Sequence, residues 1–324
     1  MLACSPDRAR RMKISRSRFP HARSHAAGFL LACWVAASPA HAVEDANCRE
    51  LERRFDLIKA DIVSYQLNST LFSAADLGCQ ELARTLLATG ASLQARDRLG
   101  AMPLAHAARA GQRVLVELLL AQGAPIDARD IAGSTALYLA AESERPATVA
   151  ALLAKGADPD LPGRSGVTPL AAAAYRGNDR IVEQLLSHKA QPNVEDASGK
   201  AAITYAAARG FADIVQRLLA AGVDASDRYG NGLTALMWAA GYEDGVGARA
   251  AGSVVEALLG RGASLDAVDD RGRSALMIAA ELGHAEVVEM LVGRGADPSA
   301  RDRSGKTALD LATDANVRRI LATR

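Results

Sequence analysis

Residues 97–111 read DRLGAMPLAHAARAG, and Leu119-Leu120 and Gly123-Ala124 follow at fixed distances. Thirty-three residues further on, Asp130, Gly133, Thr135, Leu137, Ala140-Ala141, Leu152-Leu153 and Gly156-Ala157 take the same places. Gly166, Thr168-Pro169-Leu170, Ala173-Ala174, Gly177 and Leu185-Leu186 continue the series. Asp196, Gly199, Ile203, Ala206-Ala207, Gly210 and Leu218-Leu219 form the next row. Gly232, Thr234, Leu236, Ala239-Ala240 and Leu258-Leu259 come after it, then Asp269, Gly272, Leu276, Ala279-Ala280, Gly283 and Leu291. On the N-terminal side, Leu71, Ala74-Ala75, Gly78, Leu86-Leu87 and Gly90-Ala91 form a first copy with a worn start. At the other end Asp302, Gly305, Thr307-Ala308-Leu309 and Ala312 open a last copy, cut short at Ile320-Leu321. Self-similarity at a fixed period is the mark of a repeat architecture.

The unit carries its own physical reading. Thr or Ser before the first Leu is a helix N-cap candidate, and Pro169 suits a first helical turn. The Ala-Ala pair has no bulk, so two helices can approach closely there. Glycine at the fifteenth place suits the turn that ends the first helix. The Leu-Leu pair, with Val or Ile three residues before it, gives a second helix its apolar face. The following Asp-x-x-Gly makes a turn that projects as a finger. No single unit buries its own face, so neighbours must stack.

With these places recurring, the chain resembles an ankyrin repeat protein over residues 69–324, in six complete copies plus a truncated C-terminal one. The resemblance implies an all-α solenoid of stacked helix-turn-helix units with β-turn or hairpin fingers. Three departures stand out: Glu144 and Lys189 replace glycines, and the copy starting near Tyr229 has extra residues within Tyr242–Gly252. Residues 44–66 do not match the unit. Leu51, Phe55, Leu57, Ile58 and Ile62 are spaced as a helix with one buried face, so residues 43–68 read as an N-terminal capping helix over the first repeat.

Composition and charge bound the function. Hydrophobic residues make up 49% of the 324 residues and aromatics 4%, so much of the apolar content is alanine. No segment reaches the unbroken apolar length of a membrane-spanning helix. Residues 1–42 hold seven bases and one acid, and the remainder holds 31 bases and 36 acids, a net charge of −5. An acidic body argues against nucleic acid as a partner, because phosphate binding needs a surplus of Lys and Arg.

The first 42 residues read as a secretory signal peptide: a basic stretch, the apolar run AAGFLLACWVAAS at 26–38, then Ala40-His41-Ala42, with cleavage after Ala42. Met12 is a plausible true start. Leu30-Leu31-Ala32-Cys33 offers lipid anchoring at Cys33 as an alternative, and an amphipathic N-terminal helix of the mature protein is another. The expected location is periplasmic or secreted. Cys4 and Cys33 would leave with the leader. The remaining pair suggests one disulfide, Cys48–Cys79, with two buried free thiols as the alternative, since two cysteines carry no spacing signature.

No catalytic constellation emerges. His106, His188 and His284 sit at different places in different repeats, and no HExxH, CxxC or close His/Asp/Glu set occurs, so neither a metal nor a cofactor is expected. The glycine-rich stretch 241–252 lacks the Gly-Lys-Ser/Thr of a phosphate cradle. The expectation is a non-enzymatic, monomeric module in the bacterial cell envelope that binds another protein, with no nucleic acid and no membrane span. A secreted effector acting in a host cell, an envelope inhibitor or chaperone of an enzyme, and an envelope enzyme with a site near Tyr242–Gly252 remain open.

The resemblance implies binding through finger tips and the exposed side of the first helices. Place by place, that gives Arg109, Glu142, Tyr175, Arg176, Arg209, Tyr242 and Glu281 on first helices. Finger candidates include Arg98, Arg129, Arg164, Lys200, Arg228, Arg271, Arg273 and Arg301. Tyr and Arg are the types enriched in interface hot spots. Tyr175, Arg176 and Arg209 would form a patch in mid-row suited to an anionic stretch of partner. The competing reading pairs these arginines with finger aspartates such as Asp97, Asp130, Asp227, Asp269 and Asp302. Trp238 and Tyr205 read as core.

Overall fold

A computed structural model describes residues 39–323. Residues 1–38, with Met12, Cys33 and most of the expected signal peptide, lie outside the described residues. The first helix, α1, is Pro39–Ile58, so the proposed cleavage point after Ala42 falls inside it. The helices then come in pairs: α2 (Ser64–Leu77) with α3 (Gln80–Thr89), α4 (Pro103–Ala110) with α5 (Arg113–Ala121), and α6 (Ala136–Glu142) with α7 (Pro146–Ala154). They continue as α8 (Pro169–Arg176) with α9 (Asp179–Ser187), α10 (Ala202–Ala208) with α11 (Ala212–Ala220), and α12 (Ala235–Ala240) with α13 (Ala248–Leu259). The last are α14 (Ala275–Leu282) with α15 (Ala285–Gly293), and α16 (Ala308–Leu311) with α17 (Ala315–Ala322). The worn first copy is a full pair, so seven complete pairs rather than six precede the last, and the truncation falls on its first helix, α16, which is a single turn.

Each first helix packs on the first helix of the next pair, and each second helix on the next second helix. The result is an all-α row in two layers. The alanine pairs at 74–75, 107–108, 140–141, 173–174, 206–207, 239–240 and 279–280 are wholly buried, where bulk would force the layers apart. Leu119, Leu152, Leu185, Leu218, Leu258 and Leu291 fill the same place in successive second helices, with Val116, Val149, Val182, Val215, Val255 and Val288 a turn before them, and all are fully buried.

The predicted caps form. The hydroxyl oxygens of Thr135, Thr168, Thr234, Ser274 and Thr307 accept the amides three residues on, at 3.1–3.4 Å, which satisfies one orphan donor per helix. Gly111, Gly177 and Gly283 close first helices at φ 86°, 77° and 78°. Glu144 takes the same place at φ 57° and Lys189 the closing place of the next turn at φ 67°, so both hold a left-handed backbone without being glycine.

The fingers are built in two ways. Where aspartate opens the finger, its carboxylate accepts the amides of its own loop: Asp97 from Leu99 and Ala101, Asp269 from Arg271 and Arg273, Asp302 from Ser304 and Lys306. At the two fingers without it, Gly163 and Tyr229 stand in its place, and the tip carries two consecutive left-handed residues, Ser165-Gly166 and Asn231-Gly232. The second of these is a true hairpin, with Arg228–Tyr229 (β1) paired antiparallel to Leu233–Thr234 (β2), as Asn-Gly favours. Asp227 thus lies two residues before the finger place it was expected to fill. Backbone bonds of 2.8–3.0 Å tie fingers together, from Ile131 to Leu99, Ala197 to Ser165, Gly230 to Gly199 and Asp270 to Asn231.

At the N-terminal end the helix assignment needs one correction. Phe55 is buried, and Cys48, Leu51 and Ile62 pack against the core, but Leu57 is 81% exposed and Ile58 42%. Leu57 lies two residues from Phe55, on the opposite side of α1, and the helix stops at Ile58. A break at residues 59–63 separates α1 from α2, so residues 43–68 span two helices. The sulfurs of Cys48 in α1 and Cys79 at the start of α3 are joined in the structure, with Cα atoms 5.4 Å apart.

Candidate protein-binding face

The exposed side of the first helices divides into three groups. Nearest the N-terminus, the His106 ring (α4) lies between two carboxylates, with Nδ1 3.1 Å from Asp76 and Nε2 3.1 Å from Asp97. The ring also stacks on Phe72 at 5.0 Å. Arg109 reaches Asp76 at 3.4 Å. Burial opposes ionisation of Asp76, but the bond and charge of His106 and the charge of Arg109 outweigh it and hold the carboxyl below its usual range. Arg109 is therefore already engaged within the chain.

The middle group is the richest. Arg209, just past α10, places its guanidinium 4.9 Å from the ring of Tyr175 (α8), and the Tyr175 and Tyr205 rings meet edge-on at 5.8 Å. Arg209 also pairs with Glu243 at 3.2 Å. Lys200, in the preceding finger, sits 4.7 Å from the Trp238 ring and 5.5 Å from Tyr205. The Tyr205 hydroxyl donates to Asp196. Burial pushes the Tyr205 phenol up, and Asp196 adds to the effect. Burial of Asp196 works against its ionisation, yet the bonds from Tyr205, Ser198 and the loop amides keep its carboxyl low. Trp238 and Tyr205, expected in the core, are half-buried: one side packs on the core and the other faces Lys200.

Tyr138 completes this group, and the sequence reading passed over it. It sits one place after the motif leucine, in α6, and its ring is held tight against Gly163, where a Cβ would lie 2.4 Å from it. A glycine standing in for the finger aspartate is the signal that could have found it. Its hydroxyl donates to Glu142 at 3.4 Å. Burial, then the Glu142 charge, pushes the phenol up to about 12, against the opposing charges of Arg164 and Arg176.

In the third group Tyr242 stacks on His284 at 3.8 Å, and His284 Nδ1 lies 2.8 Å from the Ala240 carbonyl. Arg273 is held by Asp269 at 2.8 Å and by Glu281 at 2.8 Å. The insertion is partly absorbed by α13, which has 12 residues against nine in α11 and α15. Its first residue after Tyr242 is anchored, since the Glu243 amide donates to the Ala208 carbonyl of the preceding repeat at 3.0 Å.

The finger arginines answer the competing reading. Arg98, Arg129, Arg164 and Arg271 are exposed and form no ion pair among the described residues. The aspartates beside them are occupied by loop amides. Only Arg228, 3.9 Å from Asp270, and Arg273 take a finger carboxylate. So Tyr175 and Arg209 come together, and Arg176 shares the groove lined by Tyr175. Arg109 and Tyr242 belong to separate groups on either side, and Arg98, Arg129 and Arg271 stand apart on their fingers. Among the described residues no three His, Cys, Asp or Glu side chains are grouped to hold a metal, and no helix is long and apolar enough to cross a membrane.

Family models described as ankyrin repeats match residues 71–163 and 170–250 with a three-copy form, residues 254–312 with a many-copy form, and residues 231–270 with a single-repeat form. A search of curated proteins finds no match.

Proposed function

The chain belongs to the ankyrin repeat family, whose repeats generally mediate protein–protein interaction, and from that premise we propose that it is a non-enzymatic binding module of the bacterial cell envelope. It holds, inhibits or chaperones another protein by rigid-surface contact. The observation that carries this reading is the middle group, where Arg209 stacks on Tyr175 and Arg176 lies at the edge of the groove beside it, on a row of helices whose fingers are bonded to one another. Fixed aromatic and guanidinium groups bind at small entropic cost, which is why such residues dominate hot spots.

Export supports the envelope as the location. The basic, apolar, small-residue order of the leader is the mark of a secretory signal, and an oxidising compartment suits a bond between Cys48 and Cys79. The module acts as a monomer, without metal or cofactor.

Chemical cross-linking in envelope extracts tests the reading. The wild-type chain should capture a defined partner, and a Tyr175→Ala/Arg176→Ala/Arg209→Ala variant should lose it while keeping its helical content and a cooperative melt. Recovery of nothing above background, or identical capture by both proteins, would count against the proposal.

A further inference from the structure

We infer that the groove between Tyr138, Tyr175 and Tyr205 is an anchor pocket for a single aromatic side chain of the partner, carried on an acidic segment. This deepens the protein-binding reading above and rests on it. The groove has a volume of about 220 Å³, and its walls are Tyr138, Val167, Ala172, Tyr175 and Tyr205, with Arg176 and Glu142 at its edge. Aromatic and small apolar walls favour a ring, which meets other rings edge-on or offset. Tyr175 and Tyr205 already adopt that edge-on geometry with each other at 5.8 Å.

Charge selects what flanks the ring. Arg176 lies at the groove edge, Arg164 follows Gly163, which is packed against the Tyr138 ring, and Lys200 stands over Tyr205 and Trp238. None of the three forms an ion pair among the described residues. The carboxylates nearby are Glu142, which accepts from Tyr138, Asp196, which is turned to its own loop and Tyr205, and Glu243, which pairs with Arg209. Elsewhere on the first-helix face the cations are neutralised: Arg109 by Asp76, and Arg273 by Asp269 and Glu281. Three cations without an ion-pair partner among the described residues thus lie at or beside one aromatic groove, against the carboxylates of Glu142 and Asp196, on a body whose net charge is −5 from residue 43 onward. An acidic segment is attracted here, as it is by the unpaired Arg98, Arg129 and Arg271 on other fingers, so the ring it carries, held by the aromatic walls, fixes where it docks. A basic segment would meet the opposite field.

Calorimetric titration of the full chain, expressed with its own leader, tests the pocket with three peptides: Glu-Glu-Tyr-Glu-Glu, Glu-Glu-Ala-Glu-Glu and Lys-Lys-Tyr-Lys-Lys. The first should bind, the alanine-centred peptide at least tenfold more weakly, and the lysine peptide not at all. Raising the salt should weaken the first, because exposed charges are screened. An Arg176→Ala/Lys200→Ala variant removes two side chains that hold no carboxylate, and should lose tenfold or more in affinity. Arg180→Ala, an exposed cation on α9 that forms no ion pair among the described residues, should leave binding unchanged. Equal binding of the alanine-centred peptide, preference for the lysine peptide, equal loss in Arg180→Ala, or no binding of any peptide would each overturn the pocket. If no peptide binds yet cross-linking still captures a partner that the Tyr175/Arg176/Arg209 variant loses, the pocket falls and the broader binding role stands; if both assays fail, both fall.

Discussion

At the scale of single residues, two of the four left-handed non-glycine residues stand where the repeat elsewhere uses glycine, and both are testable. Glu144 and Lys189 hold φ 57° and 67° where neighbouring repeats have glycine. The left-handed region costs an L-residue roughly 1–2 kcal/mol, and glycine returns about 0.5–1 kcal/mol of that as extra backbone entropy in the unfolded chain. Both side chains are exposed and form no ion pair among the described residues. Glu144→Gly and Lys189→Gly should therefore each raise stability, by up to about 1 kcal/mol. Urea midpoints that fall in both variants would refute the strain. Tyr138 gives a second residue-level expectation. Its phenol is pushed from the ordinary 10.0 up to about 12, so the folded chain keeps the proton longer than the unfolded chain does. That contribution is complete below pH 10 and is lost as pH rises toward about 12, by at most about 2–3 kcal/mol. Wild type should lose more stability between pH 9 and pH 12 than Tyr138→Phe, read as the difference between their urea midpoints at each pH. Parallel curves would mean that Tyr138 is not buried against Glu142 as described.

At the scale of elements, the repeats were readable because their code is steric. Threonine caps, the Ala-Ala contact, the fifteenth-place glycine and the Leu-Leu face each have a single structural solution, and the structure uses them in order. What failed to read across were places whose role depends on the neighbouring repeat. Leu57 and Ile58 fit a helical period, but their exposure follows from where α1 stops and α2 begins. Tyr205 and Trp238 sit on the first helix where a bulky side chain could turn either way, and Lys200 from the finger before decides it. Tyr138 depends on the absence of a side chain at Gly163. The arginine patch was visible in outline from spacing; the aromatic groove beside it was not, because it takes residues from three repeats. The α1 cap offers the element-level test. It is held to the first repeat by Phe55, Leu51 and the Cys48–Cys79 link, which spans 31 residues. In the chain-entropy account such a link is worth roughly 3–4 kcal/mol. Reductant should lower the melting temperature of wild type and leave Cys48→Ser unmoved. Equal sensitivity in the two proteins would remove the bridge.

At the scale of the whole molecule, a row of stacked pairs has stability that is a sum over units and their interfaces, so its weak points lie where an interface is missing. The two ends differ. The N-terminal pair α2/α3 is covered by α1 and linked through Cys79. The C-terminal pair has a first helix of four residues and leaves Leu311 and Ile320 only half-buried. Opening should therefore start at α16/α17 and move inward. Amide hydrogen exchange should show the lowest protection in α17, the highest in the middle pairs α8 to α11, and intermediate protection in α2/α3 that drops on reduction while α17 stays unchanged. A cavity in the middle adds a second handle: Leu218 is fully buried in α11, and Leu218→Ala should cost roughly 2–5 kcal/mol. Because α11 packs on α9, α10 and α13, that loss should appear as reduced protection on both sides of the fifth pair, with α2/α3 and α17 less affected. Uniform loss across all pairs would mean that the row opens as one cooperative block. In that case the partner groove, built from α6, α8 and α10, could not rely on the middle of the row staying closed while the end frays.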